Sequence, residues 1–202
     1  MHHYLKWILL TAYSFILIGC TSLSHEQPSP AQNPSMTWDN RVGVLSNMEN
    51  WDLKGLIALR NSRDAYSSNW QWHQNQKNYT IDLIGPLGSN SIQLTGSPNS
   101  VVLETSNGKK LTSTSPEALL EQQLGSRVPV SNLYYWVRGL PVPGIPAQKQ
   151  LDASHRISVL MQQGWRIEYL RYVSINHVDL PSKMILNNST LNVKIIINQW
   201  QF

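Results

Sequence analysis

Tyr66-Ser67-Ser68-Asn69-Trp70-Gln71-Trp72-His73-Gln74, followed closely by Tyr79-Thr80-Ile81-Asp82-Leu83, is the stretch that decides the fold. Its period is two. Tyr66, Ser68, Trp70, Trp72 and Gln74 fall on one side of an extended chain, and Tyr79, Ile81 and Leu83 oppose Thr80 and Asp82. A helix would need apolar residues three and four apart, so this alternation predicts strands with one face toward a core. The period spreads outward in both directions. Upstream, Ile57 and Leu59 alternate with Ala58 and Arg60; downstream come Ile92 and Leu94, then Val101 and Leu103. Asn-Gly, Ser-Pro and Gly turns split these segments into an antiparallel meander.

Strands resume in the C-terminal part. Ile157, Val159 and Met161 alternate, Gln163-Gly164 reads as a turn, and Trp165, Ile167 and Tyr169 alternate again. Met184 and Leu186 follow Leu180-Pro181. In the last strand Leu191, Val193, Ile195 and Ile197 face away from Asn192, Lys194, Ile196 and Asn198. Helical spacing is found elsewhere. Trp38, Val42, Leu45 and Met48 predict a helix over residues 36–49, although Gly43 weakens it. Ser115-Pro116-Glu117 has the N-cap, first-position proline and early acid of a helix start, with Leu119, Leu120 and Leu124 as its apolar stripe and Gly125 as its C-cap. A second short helix is predicted from Ser131, with Leu133, Trp136, Val137 and Leu140 on one face. Residues 141–150, with three prolines, read as loop. The fold class is mainly β (α+β): one curved antiparallel sheet, or incomplete barrel, covered by helices.

The N-terminus has its own logic. Lys6, an apolar run from Trp7 to Ile18 and the small residue Gly19 precede Cys20, the only cysteine. This is the layout of a signal peptide, and the run is shorter than the roughly 20 residues of a spanning helix. Leu17-Ile18-Gly19-Cys20 resembles the lipobox of bacterial lipoproteins. The resemblance implies removal of residues 1–19 and covalent N-palmitoyl and S-diacylglycerol groups on Cys20, with no other cofactor. Thr21, where an Asp would favour the inner membrane, implies the outer membrane. Residues 20–35, with Pro28, Pro30 and Pro34 among Ser, Gln and Asn, read as a flexible tether, and residues 36–202 as one folded domain.

Composition excludes several functions. A net charge of +4 is too small and scattered to argue for nucleic acid. No histidine pair has metal-ligand spacing, a lone cysteine cannot make a zinc site, and no nucleophile elbow or phosphate loop is present. No catalytic residue is nominated. The conspicuous property is aromatic: eight Trp and eight Tyr in a chain only 14% charged. Such side chains either fill a dry core or line a cavity for an apolar ligand. The residues alone leave both open, as they leave open whether Leu87, in the turn Gly85-Pro86-Leu87-Gly88, folds inward or stands exposed.

The order of motifs is similar to that of the LolB family, the outer-membrane receptors of lipoprotein localisation. It runs from Trp51-Asp52-Leu53-Lys54-Gly55 and Ile57-Ala58 through the Trp70-x-Trp72 strand, Tyr79-x-Ile81-x-Leu83 and Gly85-Pro86-Leu87-Gly88. It continues with Ser115-Pro116-Glu117, Leu124-Gly125, Pro129-Val130 and Leu133-x-x-Trp136-Val137-Arg138-Gly139-Leu140-Pro141. It ends with Gln163-Gly164-Trp165-x-Ile167-x-Tyr169, Leu180-Pro181 and Trp200. One departure is Leu56, where a basic residue is expected in many relatives. The resemblance implies an incomplete antiparallel barrel of ~11 strands with a helical lid over an apolar cavity. It further implies a monomer, not an enzyme, that takes the acyl groups of lipoproteins from a LolA-like periplasmic carrier. Cargo would then enter outer-membrane phospholipid without nucleotide. Pro86, Leu87 and Gly88 become the membrane-insertion loop. Trp72, Leu83, Leu94, Trp136, Trp165 and Ile167 are the cavity candidates. Another lipid carrier, or a structural lipoprotein with a filled core, is the alternative on a similar fold.

Overall fold

The protein is seen in a computed structural model that describes residues 36–86 and 91–202. Cys20 and its flanks, and Leu87 and Gly88 of the insertion loop, lie outside the described residues. Helix α1 (Trp38–Ser46) precedes strands β1 (Asn50–Arg60), β2 (Ala65–Asn75), β3 (Asn78–Ile84), β4 (Ile92–Ser97), β5 (Ser100–Thr105) and β6 (Lys110–Ser113). Helices α2 (Pro116–Leu124) and α3 (Val130–Trp136) follow. The chain closes with β7 (Ala147–Leu151), β8 (Ile157–Gln162), β9 (Trp165–Ile175), β10 (Val178–Asn187) and β11 (Asn192–Gln201).

All eleven strands form one antiparallel sheet in the order β6-β5-β4-β3-β2-β1-β11-β10-β9-β8-β7. Two meanders therefore meet at the β1–β11 pair, and β6 and β7 are the two free edges. A twisted sheet of this width curls on itself, which makes it an unclosed barrel. The chain leaving one edge must cross to the other, and α2 and α3 lie on that crossing. The lid is thus a consequence of topology.

Sequence alternation accounts for most of the inner face. Leu53, Trp72, Ile81, Leu94 and Leu103 are successive cross-strand partners from β1 to β5, and each is at most 4% exposed. A second row runs Leu160, Ile167, Leu186 and Val193 from β8 to β11, all at 0%. The capping signals also operate as read. Ser115 Oγ accepts from Ala118 N at 3.2 Å, Pro116 opens α2, and Gly125 ends it at φ 67°. Gln163 and Gly164 both take positive φ, the backbone of a two-residue hairpin turn.

The structure corrects four boundaries or faces. The first helix spans only Trp38–Ser46, capped by Thr37, and α3 starts at Val130. Within 141–150, residues from Ala147 onward begin strand β7, which is exposed throughout, so no hydrophobic alternation could announce it. The short edge strand β6 was equally silent. In β8, Ile157 is buried but Val159 is only partly so and Met161 is 46% exposed. The cause is a bulge: Leu151 pairs with Ile157 but Gln150 with Val159, and the skipped Ser158 reverses the parity. Leu160 and Gln162 point inward instead.

Candidate functional site

The concave face has two differently built sides. On the β1–β3 side an aromatic cluster fills the space under α3. Trp51 lies 5.2 Å from Trp72, 5.6 Å from Trp200 and 6.3 Å from Tyr134, between ring centroids. Trp72 also contacts Trp70 and Tyr79, both at 6.1 Å. Tyr79 is seated by Gly96, its cross-strand partner: a Cβ there would come within 2.1 Å of the tyrosine ring. Trp72 Nε1 donates to Gln74 Oε1 at 2.8 Å. The Trp51 and Trp70 indole nitrogens and the Tyr66 hydroxyl are buried with no hydrogen-bond partner. Each such donor forfeits about 1–3 kcal/mol relative to a satisfied one.

On the β8–β10 side most of the buried polar side chains are stapled. Gln162 accepts from Trp136 Nε1 at 3.0 Å and from Val142 N at 2.9 Å, and donates to the Val142 and Ile145 carbonyls. Tyr169 donates to the Trp136 carbonyl at 3.0 Å and Tyr172 to that of Ile157 at 2.7 Å. Burial drives both tyrosine pKa values well up, so both stay neutral donors. Asp179 sits between Arg41 of α1 and Arg156, each at 3.5 Å, and Arg156 also binds Asp152 at 2.8 Å. Arg41 Nε, Asp179 Oδ1 and Ser182 Oγ go unpaired, but Arg41 and Asp179 hold partners through other atoms.

The lid is pinned asymmetrically. Arg138, 1% exposed, donates to the Leu45 and Met48 carbonyls at the end of α1 (2.8 and 2.9 Å), and its guanidinium lies 4.1 Å from the Tyr134 ring centroid. Burial lowers its pKa, offset in part by the two tyrosines. Glu117 of α2 accepts from Ser131 N at 2.8 Å and from Ser115 Oγ at 2.9 Å. Burial would raise its pKa, but these bonds outweigh it and leave it lowered. Asn61 donates to Ser126 Oγ at 2.9 Å and Asn132 to Gln163 Oε1 at 2.5 Å. These tethers run to the β1–β2 loop and to the β8–β9 side. Toward β2 and β3, α3 offers aromatic side chains.

Two clefts flank the lid helices. One, about 860 Å³, opens between α3 and the β2–β3 hairpin and is lined by Trp72, Gln74, Tyr79, Val130, Tyr134 and Tyr135 among others. The other, about 850 Å³, is polar: Glu117, Glu121, Arg127, Asn132 and Gln163 line it, with Trp165 among them. The six cavity candidates divide accordingly. Trp72 is on the wall of the aromatic cleft and Trp165 on that of the polar one. Leu83, Leu94, Trp136 and Ile167 lie behind them in the core. The structure joins Trp136 to Trp165, 6.1 Å apart, and places Leu83 opposite Trp70, but does not bring the six into one pocket. Tyr134 and Tyr135 were not singled out by sequence. They lie beside the Leu133–Trp136 stripe, and their exposure on a half-apolar helix was the available signal.

The family model described as "Outer membrane lipoprotein LolB" matches residues 49–200. The chain belongs to the LolB family of outer-membrane lipoproteins. It is 37% identical over 198 residues to the outer-membrane lipoprotein LolB of Pseudomonas syringae pv. syringae, covering 98% of this chain and 97% of that protein. It is 39% identical over 197 residues to that of Pseudomonas paraeruginosa, covering 98% and 96%. Among solved structures it is similar to a DUF1329 family protein from Desulfovibrio piger (TM-score 0.55, 8% identity, 82% and 91% covered). A LolA superfamily protein from Nitrosomonas europaea is also similar (TM-score 0.53, 7% identity, 83% and 94% covered). At such identities these likenesses concern the fold alone. LolB membership places the chain at the outer membrane, in lipoprotein localisation.

Proposed function

We propose that this LolB-family protein takes the acyl groups of lipoproteins from a LolA-like periplasmic carrier into the aromatic cleft between α3 and the β2–β3 hairpin. It then releases them into outer-membrane phospholipid. Acyl groups on Cys20 hold it at that membrane. The observation that carries this reading is the cleft itself, walled by Trp72, Tyr79, Tyr134 and Tyr135 and backed by Trp51. A roughly 16-carbon chain exposed to water would cost about 12 kcal/mol, so a greasy refuge is a precondition for transfer. Gln162 and Arg138 hold the C-terminal end of α3, so a swing of the rest of the helix about that end would open the cleft and leave both staples intact. Trp72, Leu83 and Leu94 then form the floor. Trp136, Trp165 and Ile167 belong to the stapled side, outside this cleft.

No nucleotide is needed if free energy descends from carrier to cleft to bilayer. A cleft whose rim carries Glu49, Gln76, Lys77 and Asn78 beside its rings serves that order, because such a lining is a poorer solvent for acyl chains than lipid is. By resemblance, the Pro86-Leu87-Gly88 turn is the point that enters the bilayer. One leucine is worth about 1.5–3 kcal/mol on leaving water, enough to bias an encounter. The test is transfer of a radiolabelled lipoprotein from the carrier to the purified protein and onward to liposomes. Leu87→Glu should accept cargo but release it poorly. Equal incorporation by mutant and wild type would remove the loop from the mechanism, and no uptake at all by wild type would remove the function.

A further inference from the structure

Leu56 sits on the outer face of β1 and is 44% exposed. Its cross-strand partners are Ile196 on β11 and Asn69 on β2. A bulge creates this pairing. The register shifts between Lys54 and Gly55, skipping Asn198, so that Leu56 meets outward-facing Ile196 instead of inward-facing Ile197. Gly55 is required there, since a Cβ would lie 1.9 Å from the Ile196 carbonyl oxygen. One row away, Ala58 pairs with Lys194, and Lys194 with Ile185. Leu56, Ala58, Ile185 and Ile196 thus make an apolar seam at the centre of the outer face. A shallow groove of about 420 Å³ follows it, lined in part by Leu56, Ala58, Asn69, Pro86, Lys194 and Ile196.

The charge around the seam has one dominant sign. Lys54, Arg60, Lys183 and Lys194 project from the outer faces of β1, β10 and β11. The acids that border it are Asp52, held by His73 at 2.6 Å, and Glu168 on β9 opposite Ile185, paired with Arg166 at 2.9 Å. We infer that this outer face, centred on Leu56 and Ile196, lies against an anionic phospholipid surface. The inference rests on the proposed function only in taking the site of action to be a membrane. Apolar side chains set among lysines are the chemistry of an interfacial contact, in which alkyl groups reach the acyl boundary and ammonium groups meet phosphates. A protein partner fits less well. Strands β1 and β11 lie inside the sheet with a neighbour on each side, so strand addition is closed to it, and a seam of four side chains falls far short of the roughly 1,200 Å² of a stable interface. Pro86, two residues after β3, borders the same groove.

The test uses the full lipidated protein in liposomes of phosphatidylethanolamine and phosphatidylglycerol. Acylation is expected to consume Cys20, so a cysteine introduced at one position carries a polarity-sensitive fluorophore. Labels in L56C and I196C should shift to the blue and be quenched by headgroup-nitroxide lipid. A label in T95C, on the outer face of distant β4, should not. Joint Lys183→Glu and Lys194→Glu substitution, high salt, or replacement of phosphatidylglycerol by phosphatidylcholine should cut the quenching at residue 56 at least twofold. Leu56→Asp should leave the thermal unfolding midpoint unchanged while weakening quenching at residue 196. Quenching equal at residues 56, 95 and 196 would overturn the inference. So would a blue shift at 56 that needs no liposomes and grows with protein concentration, which would mean a second copy covers the seam. Quenching at 56 in a protein that fails to take up cargo would refute the proposed transfer and leave this surface standing.

Discussion

The two wings of the sheet use the same alternation to opposite ends. In the wing from β8 to β10, buried polar groups are spent on fixed geometry. Gln162 closes four hydrogen bonds, Tyr169 and Tyr172 each reach a carbonyl, and Asp179 stands between two arginines. In β1 and β2, Trp51, Trp70 and Tyr66 bury polar atoms with no hydrogen-bond partner among the described residues, and both tryptophans lie against other rings. Side chains tied to backbone carbonyls and to opposite charges resist displacement even where Arg41 Nε, Asp179 Oδ1 and Ser182 Oγ bond nothing, whereas ring-on-ring contact can slide at small cost. The frame is in one wing and the adaptable wall in the other.

Breaking the frame should have the largest effect. Asp179→Ala leaves Arg41 and Arg156 facing each other without their shared carboxylate, and should cost about 3–5 kcal/mol in urea unfolding. Gln162→Leu strands Trp136 Nε1, Val142 N and two carbonyls, and should cost about 2–3 kcal/mol. A sharper comparison is Trp136→Phe against Trp70→Phe. Both remove one ring and one N–H, but only the first breaks a hydrogen bond. Trp136→Phe should be more destabilising by about 1 kcal/mol; equal losses would erase the distinction between the wings.

The smallest expected effect concerns pH. The folded-state pKa of Glu117 lies below its ordinary value, so its contribution is present above the unfolded-state pKa and lost as pH falls through the folded one. Acid should therefore loosen the Glu117–Ser131 link between α2 and α3 before it touches the Gln162 staples. Amide exchange in α3 should speed up on acidification in wild type, and Glu117→Gln should abolish most of that dependence. Tyr79, pushed up to about 12 by burial and then by the charge of Glu117, stays neutral throughout.

Sequence read the local devices well and the long-range ones poorly. The Ser115 cap, the Gln163-Gly164 turn and the alternation in β1 to β5 and β9 to β11 are decided within a few residues, and all of them are present. The bulge at Ser158 is decided by the partner strand β7, which carries no alternation of its own, so Gln162 was invisible as an inward staple. The same limit applied to the site. Parity put Trp72, Leu94 and Ile167 each with the apolar face of its strand without saying which face turns inward, and which inner residues border open space depends on where α3 lands. That in turn depends on Arg138 reaching carbonyls some ninety positions away. Burial was legible; the cleft was not.

The central claim is that acyl chains enter between α3 and the β2–β3 hairpin. A photoactivatable phenylalanine analogue at Tyr135, on the cleft wall, tests it against the same analogue at Tyr172, in the stapled wing. During transfer from a loaded carrier, residue 135 should crosslink to the acylated end of the cargo and residue 172 should not. Transfer that proceeds with no crosslink at 135, or with a stronger one at 172, would contradict the account.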